Sequence, residues 1–240
     1  MNLLAIDTST EYLSLAVTRG DKVAAKMHRK APMMHSTLLV PMIAGLLKKA
    51  KLKPKDLDGF CVSVGPGSFT GLRIGVTTIK GLAYSLNKPV VAVPTLDVIA
   101  ENAKDFKGVI CPVLDARKNK VYACIYKSDG KKIRKISRYL LISVPELEKI
   151  LSDYGKIVLL GDGIRFFAQH KIKFAKWHPR ADVVARFGLE LFKKKKSVPP
   201  RQSNGRSGIR SGRMEAPSFI SADKLEPMYL YSRECDITGK

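Results

Sequence analysis

Metal and redox chemistry find little to work with in this chain. Its four cysteines (Cys61, Cys111, Cys124 and Cys235) are scattered, with none at C-x-x-C spacing. Those inside apolar stretches that read as strands point to reduced thiols and not to a disulfide framework. Histidine is as scarce, with only His28, His35, His170 and His178. His35 opens a helical stretch, but position 31 is Ala31 and position 39 is Leu39, so the H-x-x-x-H pair of a helix-borne metal site is missing. No apolar run approaches the length needed to cross a bilayer. The N-terminus enters a strand directly, without the basic and apolar segments of a secretory signal, so a cytoplasmic location with no membrane contact is expected.

Acidic residues are also in short supply, at 21 against 43 lysines and arginines, for a formal charge of +22. Lys193 to Arg213 contributes eight cations and no acid, and without it the excess is still +14. A field that is both large and distributed attracts polyanions, RNA foremost, although solvated basic faces account for it equally. Residues 193–224, with Pro199-Pro200 and scattered glycine, serine and arginine, read as a flexible basic linker.

The most informative stretch runs from Gly59 to Leu86. Phe60 to Val64 is a short apolar run between glycines and reads as a buried strand. Gly65-Pro66-Gly67 breaks the chain, and Ser68 or Thr70 can cap a helix running to Leu86. The loop is not a Walker A motif, because no Gly-Lys-Ser/Thr follows. It is not a dinucleotide fingerprint either, because Thr70 stands where the third glycine belongs. On chemistry alone a packing role is favoured over a phosphate cradle. Gly71, Gly75, Ile79, Leu82 and Leu86 fall on one helical face, and Arg73, Thr77, Lys80 and Tyr84 on the other. Two helix-interior glycines cost about 1 kcal/mol each, so the face carrying Gly71 and Gly75 is expected to be crowded by another backbone.

Upstream, Leu3 to Ile6 reads as a strand ending at Asp7, and Thr8-Ser9-Thr10 as a polar turn into a second strand, with a third at Lys22 to Met27. Leu38, Leu39, Met42, Ile43, Leu46 and Leu47 give a helix a broad apolar stripe, capped by Ser36 or Thr37. The second half repeats the opening: an apolar strand from Val109 to Leu114, Asp115 at its end, a polar turn, and a returning strand from Val121 to Tyr126. Ser143-Val144-Pro145-Glu146 is a capping box. Gly161-Asp162-Gly163 is expected to open a helix after a strand at Ile157 to Leu160, and Asp182 to Lys196 reads as another.

The string GPGSFTGLRIG, together with LLAIDTSTEYLSLAV, HSTLLVPMI, PVVAVPTLDVIA, LDARKNKVYACIY and LEPMYLYS, closely resembles the TsaB (YeaZ) family of tRNA threonylcarbamoyladenosine biosynthesis subunits. The likeness is strong over residues 1–127, patchy from 128 to 192, and brief at 225–232. It implies a glycoprotease-like member of the actin/hexokinase/Hsp70 ATPase superfamily. The fold would be α/β, with two related RNase H-like subdomains, mixed sheets flanked by helices. The subdomains would be 1–105, rejoined by 225–240, and 106–192. It further implies a non-catalytic subunit that dimerises with a TsaD-like transferase modifying adenosine 37 of tRNAs that read ANN codons. A TsaE-like ATPase would join them, tRNA would be met through the complex, and the free chain could form a homodimer. No cofactor of its own is implied, with ATP and magnesium at the complex interface. The implied partner surface is Leu38, Leu39, Met42, Ile43 and Leu46 with Gly71, Gly75, Ile79 and Leu82. A weak or vestigial nucleotide site would involve Asp7, Thr8, Ser9, Gly65, Gly67, Ser68 and Asp115. Asp7 reads equally as a turn cap, and Glu11 in that turn would repel a triphosphate unless a metal intervened.

Three functions compete: a scaffold subunit, an autonomous ATPase, sugar kinase or metalloprotease, and a basic RNA-binding module. The enzyme needs a constellation the chain does not supply, and the RNA module leaves the glycine-bearing helix unexplained. The scaffold uses both helices. On that basis Gly75→Leu is expected to block partner binding while leaving the subunit folded.

Overall fold

A computed structural model describes residues 1–167, 173–197, 216–228 and 230. The chain divides into two units, one formed by Met1–Thr95 with the stretch beginning at Pro179 and ending at Met228, the other by Leu96–His178.

The first unit opens with β1 (Leu3–Asp7), β2 (Tyr12–Arg19) and β3 (Lys22–Lys30), followed by α1 (His35–Lys49), β4 (Gly59–Gly65), α2 (Phe69–Leu86) and β5 (Val90–Pro94). β1 and β4 are buried along their whole length, which requires cover on both faces of the sheet. α1 does not start on a Ser36 or Thr37 cap: its N-cap is Met34, which offers no side-chain oxygen. Ser68 does cap α2, accepting from the Gly71 N–H at 3.3 Å. Asn87 ends that helix in the left-handed conformation.

The second unit contains α3 (Thr95–Ala100, whose first residue closes the first unit), β6 (Lys107–Asp115), β7 (Lys120–Ala123), β8 (Tyr126–Asp129), β9 (Ile133–Lys135), β10 (Leu140–Ser143), α4 (Val144–Ser152), β11 (Ile157–Leu160) and β12 (Lys173–Phe174). The capping box at α4 is reciprocal: Ser143 Oγ accepts from Glu146 N–H, and the Glu146 carboxylate accepts from Ser143 N–H at 3.1 Å. The strand expected over Val121–Tyr126 is two strands, broken at Cys124 and Ile125. Gly161-Asp162-Gly163 leads only into a single 3-10 stretch, Asp162–Phe166.

The chain then returns to the first unit through α5 (Ala181–Ser197) and β13 (Ser218–Ile220). α5 lies against the face carrying Leu3 and Cys61, where Gly188 leaves room for the Cys61 side chain, and Phe192 reaches Gly59. Ser14 reaches across to accept the first free helical N–H, that of Ala181, at 3.0 Å. The other face of the sheet is covered by α1 and α2, which lie side by side.

Each unit is a mixed sheet flanked by helices, and the two share a topology. The strand order β5-β4-β1-β2-β3 of the first sheet is matched by β12-β11-β6-β7-β10 in the second, with the same parallel and antiparallel pairings. Asp7 and Asp115 end equivalent strands. The domain bounds differ from those expected. The first crossing falls at Thr95 and not at residue 105, and α5 packs with the first unit. Residues 193–197 are helical, while 218–220 form a strand on β5. The remainder of the expected linker (198–215), His170, Cys235, and all of the expected 225–240 return beyond Leu230 lie outside the described residues, as does Tyr229.

Candidate functional site

Three strands of the first unit, β1, β4 and β5, run parallel, and their C-terminal ends bring together Asp7, Thr8, Ser9, Ser63 and the loop Gly65–Ser68. Asp7 is fully buried. Its Oδ1 accepts from the Ser9 N–H at 3.0 Å and the Ser9 hydroxyl at 2.6 Å, and its Oδ2 accepts from the Ser63 hydroxyl at 2.5 Å. Burial pushes the carboxyl above its ordinary value, against the downward pull of the Ser63 and Ser9 hydrogen bonds. Ser63 was not anticipated, although a serine inside an otherwise apolar strand was a signal for it.

The loop after β4 closes over this turn. Ser68 N–H donates to the Ser9 carbonyl at 2.7 Å. A Cβ on Gly67 would collide with the Ser9 carbonyl oxygen, one on Gly71 with the Thr8 carbonyl oxygen, and one on Gly75 with the Thr8 hydroxyl. Gly65, at φ 117°, faces the Met228 carbonyl, whose residue donates its N–H to Val64 at 2.6 Å. Asp7 and Ser9 are therefore both engaged by their own chain, whereas the buried Thr8 hydroxyl has no hydrogen-bond partner among the described residues. Asp115 belongs to the second unit. Its carboxylate accepts from Arg117 N–H at 2.7 Å and pairs with the Arg165 guanidinium, while its own N–H goes to Asp162 at 2.8 Å.

The crowding that the helix glycines require thus comes from within. Gly71, Gly75 and Ile79 are buried, as are Leu39, Met42, Ile43 and Leu46, while Leu38 and Leu82 are half-buried. This corrects the expectation that the Gly71–Gly75 face receives a partner. It also overturns the expectation that Gly75→Leu would leave the fold intact, because the added side chain meets Thr8 of the same unit.

The outward sides of α1 and α2 look different. Val40 is 60% exposed and Tyr84 80%, while Phe69 shows 53% beneath the Arg73 guanidinium stacked on its ring. Met33 and Met34, just before α1, are also exposed. Gly45 in α1 and Gly81 in α2 have nothing within 4 Å of where a Cβ would stand. Two glycines are spent in exposed helix interiors with no internal reason, at about 1 kcal/mol each. The sequence contained the signal: Gly81 falls on the face of Thr77 and Tyr84, where packing against the protein's own core is no excuse for it. His35 is occupied structurally, its Nε2 donating to the Tyr12 carbonyl at 3.2 Å.

The model of the TsaD family, tRNA N6-adenosine threonylcarbamoyltransferase, matches residues 27–185 of this chain. The tRNA threonylcarbamoyladenosine biosynthesis protein TsaB of Bacillus subtilis (strain 168) is 35% identical over 176 residues, 73% of this chain and 74% of the relative. TsaB of Escherichia coli (strain K12) is 32% identical over 167 residues, 68% of this chain and 72% of that protein. Among solved structures, YeaZ from Pseudomonas aeruginosa superposes with a TM-score of 0.73 at 24% identity, covering 95% of this chain and 99% of that one.

Proposed function

The chain belongs to the TsaB family of tRNA threonylcarbamoyladenosine biosynthesis proteins, and from that we propose that it is the non-catalytic subunit that pairs with, and supports, a TsaD-like transferase. The observation that carries this is the pair of exposed helix glycines with open space before them, Gly45 in α1 and Gly81 in α2, on helices that also expose Val40, Phe69 and Tyr84. Exposed apolar side chains on one pair of helices suit a docking role, and glycine permits the close backbone approach of helix on helix. The match to a transferase family model implies shared ancestry with the enzyme. Two chains built alike can meet through equivalent helices in a pseudo-two-fold arrangement, and the same patch can pair with itself when the enzyme is absent.

Two features favour a supporting role over chemistry. His35 has no second histidine at helical spacing and is held by Tyr12. Asp7 has both oxygens committed to hydroxyls of its own unit. ATP, its metal and a TsaE-like ATPase belong to the assembly and not to this chain, and tRNA is met as the assembly's substrate.

Gly81→Leu tests the proposal. The side chain enters open space in a helix interior, so the isolated protein keeps or raises its melting temperature, while co-purification with the co-expressed transferase is lost. Retention of the partner at wild-type yield would remove the interface from this face.

A further inference from the structure

The outermost strands of the second unit carry an arrangement that packing does not explain. β8 and β9 form an antiparallel hairpin in which Lys127 stands directly opposite Arg134. The flanking pairs, Tyr126 with Lys135 and Ser128 with Ile133, point to the other face, where Tyr126 and Ile133 join a core cluster with Ile110 and Leu114. Lys127 and Arg134 share the remaining face, and both are exposed. Like charges facing each other across a ladder destabilise it. Among the described residues no carboxylate lies within ion-pair distance of either.

The hairpin's acidic residue does not relieve them. Asp129 Oδ1 accepts from the N–H groups of Lys131 and Lys132 at 2.8 Å each, holding the turn, and those bonds keep its carboxyl below the usual range. It stands opposite Lys107 of β6, another exposed cation. Asp129 shares this face and stands opposite Lys107, so the cations left without an ion-pair partner among the described residues are Lys127 and Arg134, a like-charged pair suited to an external anion.

We infer that this face of the β8–β9 hairpin, with Lys127 and Arg134 at its centre, takes the phosphate backbone of an RNA; this rests on the reading above, in which the assembly acts on tRNA. Arginine and lysine without acidic partners are free to neutralise phosphates, and each contact releases counterions. An acidic protein is the poorer match. Stable protein interfaces centre on aromatic or aliphatic anchors, and beside these cations the hairpin shows only Ile136, 39% exposed. The absence of a stacking ring on this face predicts contact with the backbone and not readout of bases.

The test uses the full chain assembled with its transferase, comparing wild type with the double variant Lys127→Gln, Arg134→Gln. Binding of fluorescently labelled tRNA is followed across a KCl series. The expected result is weaker binding at low salt and a plot of log affinity against log salt shallower by roughly 1.4, two phosphates at about 0.7 each. Partner co-purification stays at the wild-type level, and the melting temperature is unchanged or higher because a like-charge pair has been relieved. An unchanged slope overturns the inference. So does a lower melting temperature, which would make the cations structural, or displacement of tRNA from the wild type but not from the variant by poly-glutamate alone, which would assign the face to an acidic protein. The same titration on the chain alone separates the two readings: a charge effect retained there, with no partner co-purified, supports the hairpin and sinks only the assembly.

Discussion

Helix α2 carries glycine on both of its sides, and the surroundings are opposite. On the inner side Gly71 and Gly75 meet the backbone and hydroxyl of Thr8, so closely that any side chain there would force the β1–β2 turn away. On the outer side Gly81 meets nothing, and Gly45 of the neighbouring α1 meets nothing either. The inner glycines are explained by the fold itself. The outer ones cost about as much helix stability each while the isolated unit gains no contact in return, and the proposed partner accounts for them. A helix glycine therefore says that something comes close, but only its surroundings say whether that is the same chain or another.

The sharpest way to break the contrast is on the inner side. Gly75→Leu should destabilise the protein by on the order of 3 kcal/mol through overpacking against Thr8, read as a large fall in melting temperature or as insoluble expression. A stable Gly75→Leu variant would mean the Thr8 turn yields readily, and the inner and outer glycines would no longer differ in kind.

The turn that those glycines clamp can also be titrated. Asp7 is raised above the ordinary carboxyl value of 3.8 by burial, which outweighs the hydrogen bonds from Ser63 and Ser9. The folded state then holds this proton more tightly than the unfolded state. Stability falls as pH rises from 3.8 through the raised folded value and levels off above it. Asp7→Asn should remove that component, so the difference in melting temperature between variant and wild type should change with pH across that range. A difference that stays constant with pH would show that the buried carboxyl is ionised at no cost.

The smallest effect is the most diagnostic for the outer side. Gly81→Ala, entering open space in a helix interior, should raise the stability of the isolated chain by about 0.5–1 kcal/mol. A loss in thermal or denaturant unfolding would reveal an internal neighbour and bring Gly81 into line with Gly75.

Much of this was legible before any coordinates. The apolar run Phe60–Val64, the breaker Gly65-Pro66-Gly67 and the Ser68 cap specify β4, its loop and α2 by local chemistry alone. The apolar strand ending in an aspartate, seen twice, foretold the shared topology of the units. What periodicity does not encode is the identity of the neighbour: it separates the apolar face of Gly75 from the polar face of Gly81 without saying whether the same chain or another crowds the apolar one. Short strands were illegible for a different reason. Ile133–Lys135 has three residues, two of them basic, and exists because β8 offers it a ladder; Ser218–Ile220 exists because β5 does. The αL turn at Arg117, Lys118 and Asn119, at φ 67°, 48° and 56°, likewise carries no glycine to announce it.

That last partner of β5 bears on how the protein is made. The pairing of Phe219 with Val91 closes one border of the first sheet with residues that come much later in the chain. During synthesis, β5 emerges long before them and has to wait with its hydrogen-bonding groups on that side unmatched, an open invitation to other nascent chains. A truncation ahead of Ser218 would leave that border permanently bare and also remove the Met228 contact to Val64, and self-association of the shortened product should follow.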